Sequence, residues 1–254
     1  MTRHWRSIRR CMPSPAYDLH IHSCLSPCGD DEMTPANIAG MAAVKELGLI
    51  AVTDHNSCKN CGAVLRAAEE YGVLALPGME LTTREEVHVV CLFEELDAAL
   101  DFDAYVYERL PDIPNQEKIF GKQQIMDEEE TVKGIVEKLL INATDIGFDE
   151  VFELVESRGG VMIPAHLDKS TTSLLSNLGF IPPDAKFTTA EVKNLTNLHR
   201  LIKEHPYLER CRILSNSDAH YLQDIHEPEH TLYVKEMTRK AVIRELRQGM
   251  PHTI

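Results

Sequence analysis

Histidine and carboxylate side chains recur at the ends of short apolar runs along the whole of this 254-residue chain. In order they are His20, His22, an acid near Asp30, His55, Glu80, His88, His166, Asp218 and His220. Imidazole nitrogen and carboxylate oxygen together are the donor set of Zn, Mn or Fe. Any one of these residues alone reads as incidental. Their recurrence from end to end points to a site for two or three divalent ions, and such sites support hydrolysis. His20 and His22 form a chelating pair if residues 17–22 are a strand, because alternation puts both imidazoles on one face, together with Asp18. Asp218 and His220 repeat the two-residue spacing with a mixed pair of donors. Glu80 closes the apolar run Leu76-Pro77-Gly78-Met79, where a carboxylate is costly to bury without a metal or a cation beside it. Asp54 precedes His55 and is placed to orient an imidazole from behind.

The elements that must position these residues alternate between strand-like and helix-like. Residues 17–22, 49–54, 73–80, 87–93, 161–165, 188–192, 212–215 and 231–234 read as strands. Thr34-Pro35 is a cap followed by proline at the first helical position, and Gly48 is the stop. Helices are expected over 63–71, 130–141, 148–157 and 195–204, with a closing helix capped by Thr238 and ended by Gly249. Repeated βα units imply an α/β fold with a mostly parallel sheet, as a barrel or doubly wound. The candidate ligands then fall at the carboxyl ends of strands, or in the first strand, where such folds place their sites.

Composition narrows the function. The chain carries 26 basic and 40 acidic residues, a net charge of -14. Such a surface argues against a tight grip on duplex nucleic acid, which needs a basic footprint. Much of the acidity lies in residues 94–130, within an insert at about 94–145 that contains Pro111 and Pro114 and reads as irregular. Its position just after the strand carrying His88 makes it a candidate lid for the cleft. No apolar run is long enough to span a membrane. Residues 1–16 read as a basic, disordered lead, and residues 17–254 as the folded domain. Seven cysteines fit a reducing, cytoplasmic setting better than a disulfide framework. Neither a Gly-x-Ser-x-Gly elbow nor a phosphate-cradling glycine loop is present.

Six ordered motifs carry a resemblance. They are Asp18-Leu19-His20-Ile21-His22-Ser23, Val52-Thr53-Asp54-His55-Asn56, Pro77-Gly78-Met79-Glu80, Glu86-Val87-His88-Val89, Gly160-Val161-Met162-Ile163-Pro164-Ala165-His166 and Asn216-Ser217-Asp218-Ala219-His220. In this order the chain resembles the PHP (polymerase and histidinol phosphatase) family of metal-dependent phosphoesterases. The resemblance implies a distorted (β/α)7 barrel with a trinuclear site at its carboxyl end. It further implies that His20, His22, Glu80 and Asp218 hold one metal, and that Glu80 bridges to a second held by His88 and His166. His55 and His220, with an acid from the first loop, would hold the third. A metal-bound hydroxide held by Glu80, His88, His166 and Asp218 is then the expected nucleophile.

The first loop departs from the family pattern His-Ser-x-x-Ser-Asp-Gly. Counting back from Thr34 selects Asp30 as its acid; Asp31 and Cys28 are alternatives. Cys24, Cys28, Cys58 and Cys61 lie near the same motifs and either form a separate metal site or pack as buried thiols. Arg84, Lys169 and Lys193 are the basic residues near the motifs that could reach a phosphate. The leading expectation is hydrolysis of a small phosphorylated metabolite, a nucleotide or a short oligonucleotide end. The alternatives are a metal-stabilised module without catalysis and an amidohydrolase-like enzyme acting on C–N bonds.

Overall fold

The computed structural model describes residues 13–249. Nine strands are described: β1 (Tyr17–Ile21), β2 (Leu49–Val52), β3 (Leu74–Thr82), β4 (His88–Leu92), β5 (Gln124–Met126), β6 (Val132–Ile135), β7 (Val161–Pro164), β8 (Thr189–Glu191) and β9 (Arg212–Leu214). The helices are α1 (Pro35–Val44), α2 (Cys61–Glu70), α3 (Leu96–Arg109), α4 (Glu117–Phe120), α5 (Phe148–Glu156), α6 (Leu174–Asn177), α7 (Leu198–Glu204) and α8 (Arg239–Arg247).

The apolar runs Leu49–Val52 and Val161–Pro164 are buried throughout, as expected of strands covered on both faces. Five strands pair in the order β1-β2-β3-β4-β7, and β8 pairs with β9 in a second sheet. The expectation of a mostly parallel sheet is corrected at β4, which runs antiparallel to both β3 and β7. The turn from Thr83 to Val87, closed by a hydrogen bond between their backbones, is too short for the crossover that a parallel neighbour needs. The result is an α/β fold with a curled half-barrel of strands. Single contacts join the two sheets at either end. Ile21 bridges Ala219, and Leu167 N–H donates to the Glu191 carbonyl. Both joints lie beside candidate ligands.

Helix boundaries follow their signals at several places. The Thr34 hydroxyl accepts from the Asn37 N–H to start α1, and Thr238 does the same for Ala241 at α8. Two expectations in the insert fail. The acidic stretch carries the 14-residue helix α3, whose Ala99, Phe102 and Val106 are buried at helical spacing despite the surrounding acids. Residues 130–141, expected to be helical, instead supply β6 in a hairpin with β5. The β-branched residues Thr131, Val132, Ile135 and Val136, interrupted by Gly134, favour an extended chain over a helix. Residues 231–234 form only a bridge from Thr231 to Ala16.

Of the basic lead, residues 1–12 lie outside the described residues. Residues 13–16 run beside 231–234, with Pro13 and Pro15 carbonyls accepting from Val234 and Leu232. Among the described residues no helix is long and apolar enough to cross a membrane.

Candidate metal centre

At one end of the curled sheet the Glu80 carboxylate stands inside a ring of imidazoles. Its Oε1 lies 2.9 Å from His88 Nδ1, 3.1 Å from His166 Nε2 and 3.3 Å from His20 Nε2. Its Oε2 lies 3.2 Å from His55 Nδ1 and 3.3 Å from His22 Nε2. Asp218 Oδ1 approaches the same nitrogens of His20 and His22 at 3.6 and 3.4 Å. The His220 ring stacks on His22 with centroids 4.2 Å apart. Three overlapping groups have donor atoms close enough to share an ion: His20, His22, Glu80 and Asp218; His55, Glu80 and His88; and His22, His55 and His220.

The donors fit divalent cations. Glu80 Oε2 is buried without a hydrogen-bond partner, so the nitrogens 3.2 and 3.3 Å away do not present aligned N–H groups to it. His55 Nδ1 and His166 Nδ1 are also buried and unpartnered. Each such atom costs roughly 1–3 kcal/mol, and a bound cation would satisfy the oxygen directly. His166 at φ 30° and Asp218 at φ 55° both hold left-handed backbone, a strain that gathers at functional sites.

Behind the ring, hydrogen bonds fix the outward-facing nitrogens. His22 Nδ1 lies 2.9 Å from Ser26 Oγ, which donates to Asp54 Oδ1 at 2.7 Å. Asp54 therefore supports His22 through a serine, rather than its neighbour His55. His220 Nδ1 lies 2.9 Å from the Asp218 carbonyl oxygen. Glu191, absent from the sequence-based set, lies 3.0 Å from His20 Nδ1. Glu191 ends the short strand Thr189-Ala190-Glu191, whose threonine-rich run lacks the apolar stretch that marks Glu80.

Charge and burial compete throughout the centre. Burial opposes the imidazolium of His20, but Glu191, Glu80 and Asp218 outweigh it and hold its pKa well above the ordinary value. The same balance, set by Asp218 and Glu80, raises His22. Burial, reinforced by the positive His22, drives His55 well below the ordinary value and His220 down to about 4. Burial alone would raise Glu80, yet His88, His20 and His55 pull it well below the carboxylate range.

The peripheral candidates separate clearly. Lys169 Nζ donates to Asp218 Oδ2 at 3.0 Å, and Lys193 Nζ lies 3.6 Å from the same oxygen. Arg84 instead contacts the Asp145 carbonyl oxygen at 3.3 Å and Glu85 at 3.7 Å, and does not join the lysines. Asp30 is not brought into any of the three groups: its Oδ1 accepts the Glu32 N–H at 2.9 Å. Asp31 is drawn outward to Lys122 and Gln124. The four cysteines do not assemble into a ligand group among the described residues. Cys58 and Cys61 both point at the Gly78 carbonyl oxygen at 3.2 Å, and Cys24 contacts Met126. Cys28 is exposed.

A family model for the PHP domain matches residues 18–178. The chain belongs to the PHP family. The match takes in most of the candidate ligands but ends before Asp218 and His220, which only the fold joins to the rest. No curated protein matches the chain. Among solved structures, this PHP chain is similar to the lesion-specific endonuclease PfuEndoQ from Pyrococcus furiosus, with 20% identity and a TM-score of 0.62. The match covers 92% of this chain and 56% of that one, so the PHP chain spans little more than half of the endonuclease. Endonuclease Q in complex with a 27-mer duplex substrate bearing an abasic lesion matches at 20% identity and TM-score 0.60, covering 91% of this chain and 56% of that one. A protein from Bifidobacterium adolescentis assigned as a metal-dependent phosphoesterase matches at 17% identity and TM-score 0.56, covering 94% of this chain and 98% of that one. At these identities the likeness is one of fold.

Proposed function

We propose that this PHP chain is a metal-dependent hydrolase of phosphoesters. The observation that supports the reading most is the Glu80 carboxylate ringed by five imidazoles, with Asp218 at its side and two lysines on the outer oxygen of Asp218. His20, His22, Glu80 and Asp218 would hold one divalent ion. Glu80 would bridge to a second with His88 and His166, while His55 and His220 belong to a third position. Two or three ions of Zn, Mn or Fe suit this donor set. When bound, they supply Lewis acidity and activate water.

The chain's own groups do the rest. Lys169 and Lys193 stand ready to exchange Asp218 Oδ2 for the oxygens of a substrate phosphate once that carboxylate is engaged elsewhere. A groove lined by residues including Lys169, Ser170 and Arg200, and also by the acids Asp168 and Glu204, opens beside Lys169. Asp54, through Ser26, keeps the His22 ring oriented.

We favour a small phosphorylated metabolite, a nucleotide or a short oligonucleotide end as substrate. The net charge of -14 repels a long polyanion. A second reading, action on duplex DNA, draws on the complex of endonuclease Q with its duplex substrate. It weakens the composition-based argument against duplex binding, although that enzyme is much longer than the matched portion. The experiment loads the protein with Mn or Zn and follows phosphate release from nucleotides, sugar phosphates and histidinol phosphate. It then compares kcat/KM for a mononucleotide, a short single strand and a long duplex at one ionic strength. Release that stops on chelation and returns with metal is expected, with the small substrates preferred. A preference for the duplex would establish the second reading. Metal-loaded protein inert on every phosphoester would leave a non-catalytic module or C–N hydrolysis.

A further inference from the structure

Glu191 is buried at the end of β8, with 1% of its surface exposed. Its Oε1 accepts the backbone N–H of His166 at 3.0 Å and lies 3.2 Å from His20 Nδ1. Its Oε2 lies 3.0 Å from the same His20 nitrogen and accepts from Asn216 Nδ2 at 2.7 Å. The Asn216 side chain in turn accepts the Leu19 N–H at 2.9 Å, next to His20. One carboxylate therefore ties together the first strand, the end of β7 and the segment leading to Asp218. No lysine or arginine is among these partners, so a buried negative charge is held by a histidine and two neutral donors.

That arrangement has two consequences for the ring. An ionised carboxylate only accepts hydrogen bonds, so the His20 nitrogen beside it carries the proton. In the neutral imidazole this leaves the lone pair on Nε2, the atom that faces Glu80 and Asp218. The second consequence concerns His166, whose φ of 30° is strained for a residue with a side chain. Its N–H is fixed by Glu191, so the hydrogen bond helps to hold a backbone conformation that sends His166 Nε2 to Glu80.

We propose that Glu191 is a positioning residue for two metal positions at once, setting the tautomer of His20 and the backbone of His166. The inference rests on the metal-site reading given above. A carboxylate behind a ligating histidine typically changes metal affinity by about 10–100-fold when removed. Because Glu191 serves ligands of both positions that share Glu80, its loss lowers occupancy of the two together.

The test uses the full chain, loaded with Zn. Nitrogen NMR of the imidazoles reads the His20 tautomer directly. Wild type should show the proton on Nδ1 and ligation through Nε2; a proton on Nε2 overturns the proposal without any variant. Metal titrations of Glu191→Gln and Glu191→Ala then follow, with Thr189→Val on the same strand as the control for packing. Gln keeps the shape but turns one acceptor into a donor opposite His166 or Asn216, so affinity for two ions should fall by about 10–100-fold. Thr189→Val should retain both ions. Unchanged affinity in Glu191→Gln, or loss of a single ion only, overturns the proposal. Wild type that takes up no metal would instead overturn the metal-site reading on which it rests.

Discussion

At the scale of the residue, the two lysines and the arginine read from the sequence take different places. Lys169 and Lys193 share Asp218 Oδ2, whereas Arg84 is spent on Asp145 and Glu85. A charged hydrogen bond to a phosphate oxygen is worth about 1.5–3 kcal/mol. Lys169→Ala should therefore lower kcat/KM for a phosphoester by roughly 10–100-fold while metal content stays unchanged, and Arg84→Ala should leave both unaltered. Steady-state kinetics with metal analysis on each variant checks this. Unchanged kcat/KM in Lys169→Ala would remove Lys169 from the substrate's reach. The direction of the Asp30 carboxylate is likewise set by local geometry. Counting along a loop fixes where a residue lies on the chain, and only the turn closed by the Glu32 N–H decides where its carboxylate points.

At the scale of the element, the insert is coupled to the first loop. Asn60 Nδ2 donates to Ser23 Oγ at 2.9 Å and to the Gln124 carbonyl oxygen at 3.1 Å, while its Oδ1 accepts the Met126 N–H at 2.9 Å. Ser23 in turn donates to Asp54, which supports Ser26 and, through it, His22. The β5–β6 hairpin has little core of its own, since Val132 and Ile135 are 48% and 61% exposed. A polar latch at Asn60 therefore holds it against the rim of the cleft. Asn60→Ala should cost roughly 1–3 kcal/mol of stability, because it strands buried partners. Amide hydrogen exchange should accelerate first over residues 124–135. Exchange that rises uniformly across the chain would mean that the hairpin has no separate latch.

At the scale of the whole molecule, protonation and metal uptake compete. In the metal-free protein His20 and His22 hold protons above the ordinary imidazole value, because neighbouring carboxylates outweigh burial. A raised folded-state pKa contributes stability that is complete below the unfolded value of about 6.5 and is lost as pH rises through the folded value. A metal requires the same nitrogens unprotonated, so its uptake releases protons and strengthens with pH. The Tm difference between metal-loaded and metal-free protein should therefore widen from about pH 6 to about pH 8. Thermal melts at fixed excess Zn or Mn would show it. A difference that is flat or shrinks over that range would contradict the assigned protonation.

The types and order of the candidate ligands and the α/β class are legible in the sequence alone. Short strands ending in His, Glu or Asp and helices with explicit caps are local signals; β1 forms over Tyr17–Ile21, so that His20 lies within it and His22 directly follows it. The sequence also marked Glu80 as an acid in need of a partner. It did not determine that β4 turns back antiparallel, that residues 132–135 are extended, or that Glu191 stands behind His20. Strand direction depends on which edge is free to pair, and helix preference in an insert yields to the contacts its neighbours offer. Only the tertiary structure brought Asp218 and His220 to His22, because sheet closure between Ile21 and Ala219 joins residues nearly 200 positions apart. A side chain's chemistry is local, but its partners are set by how the sheet curls.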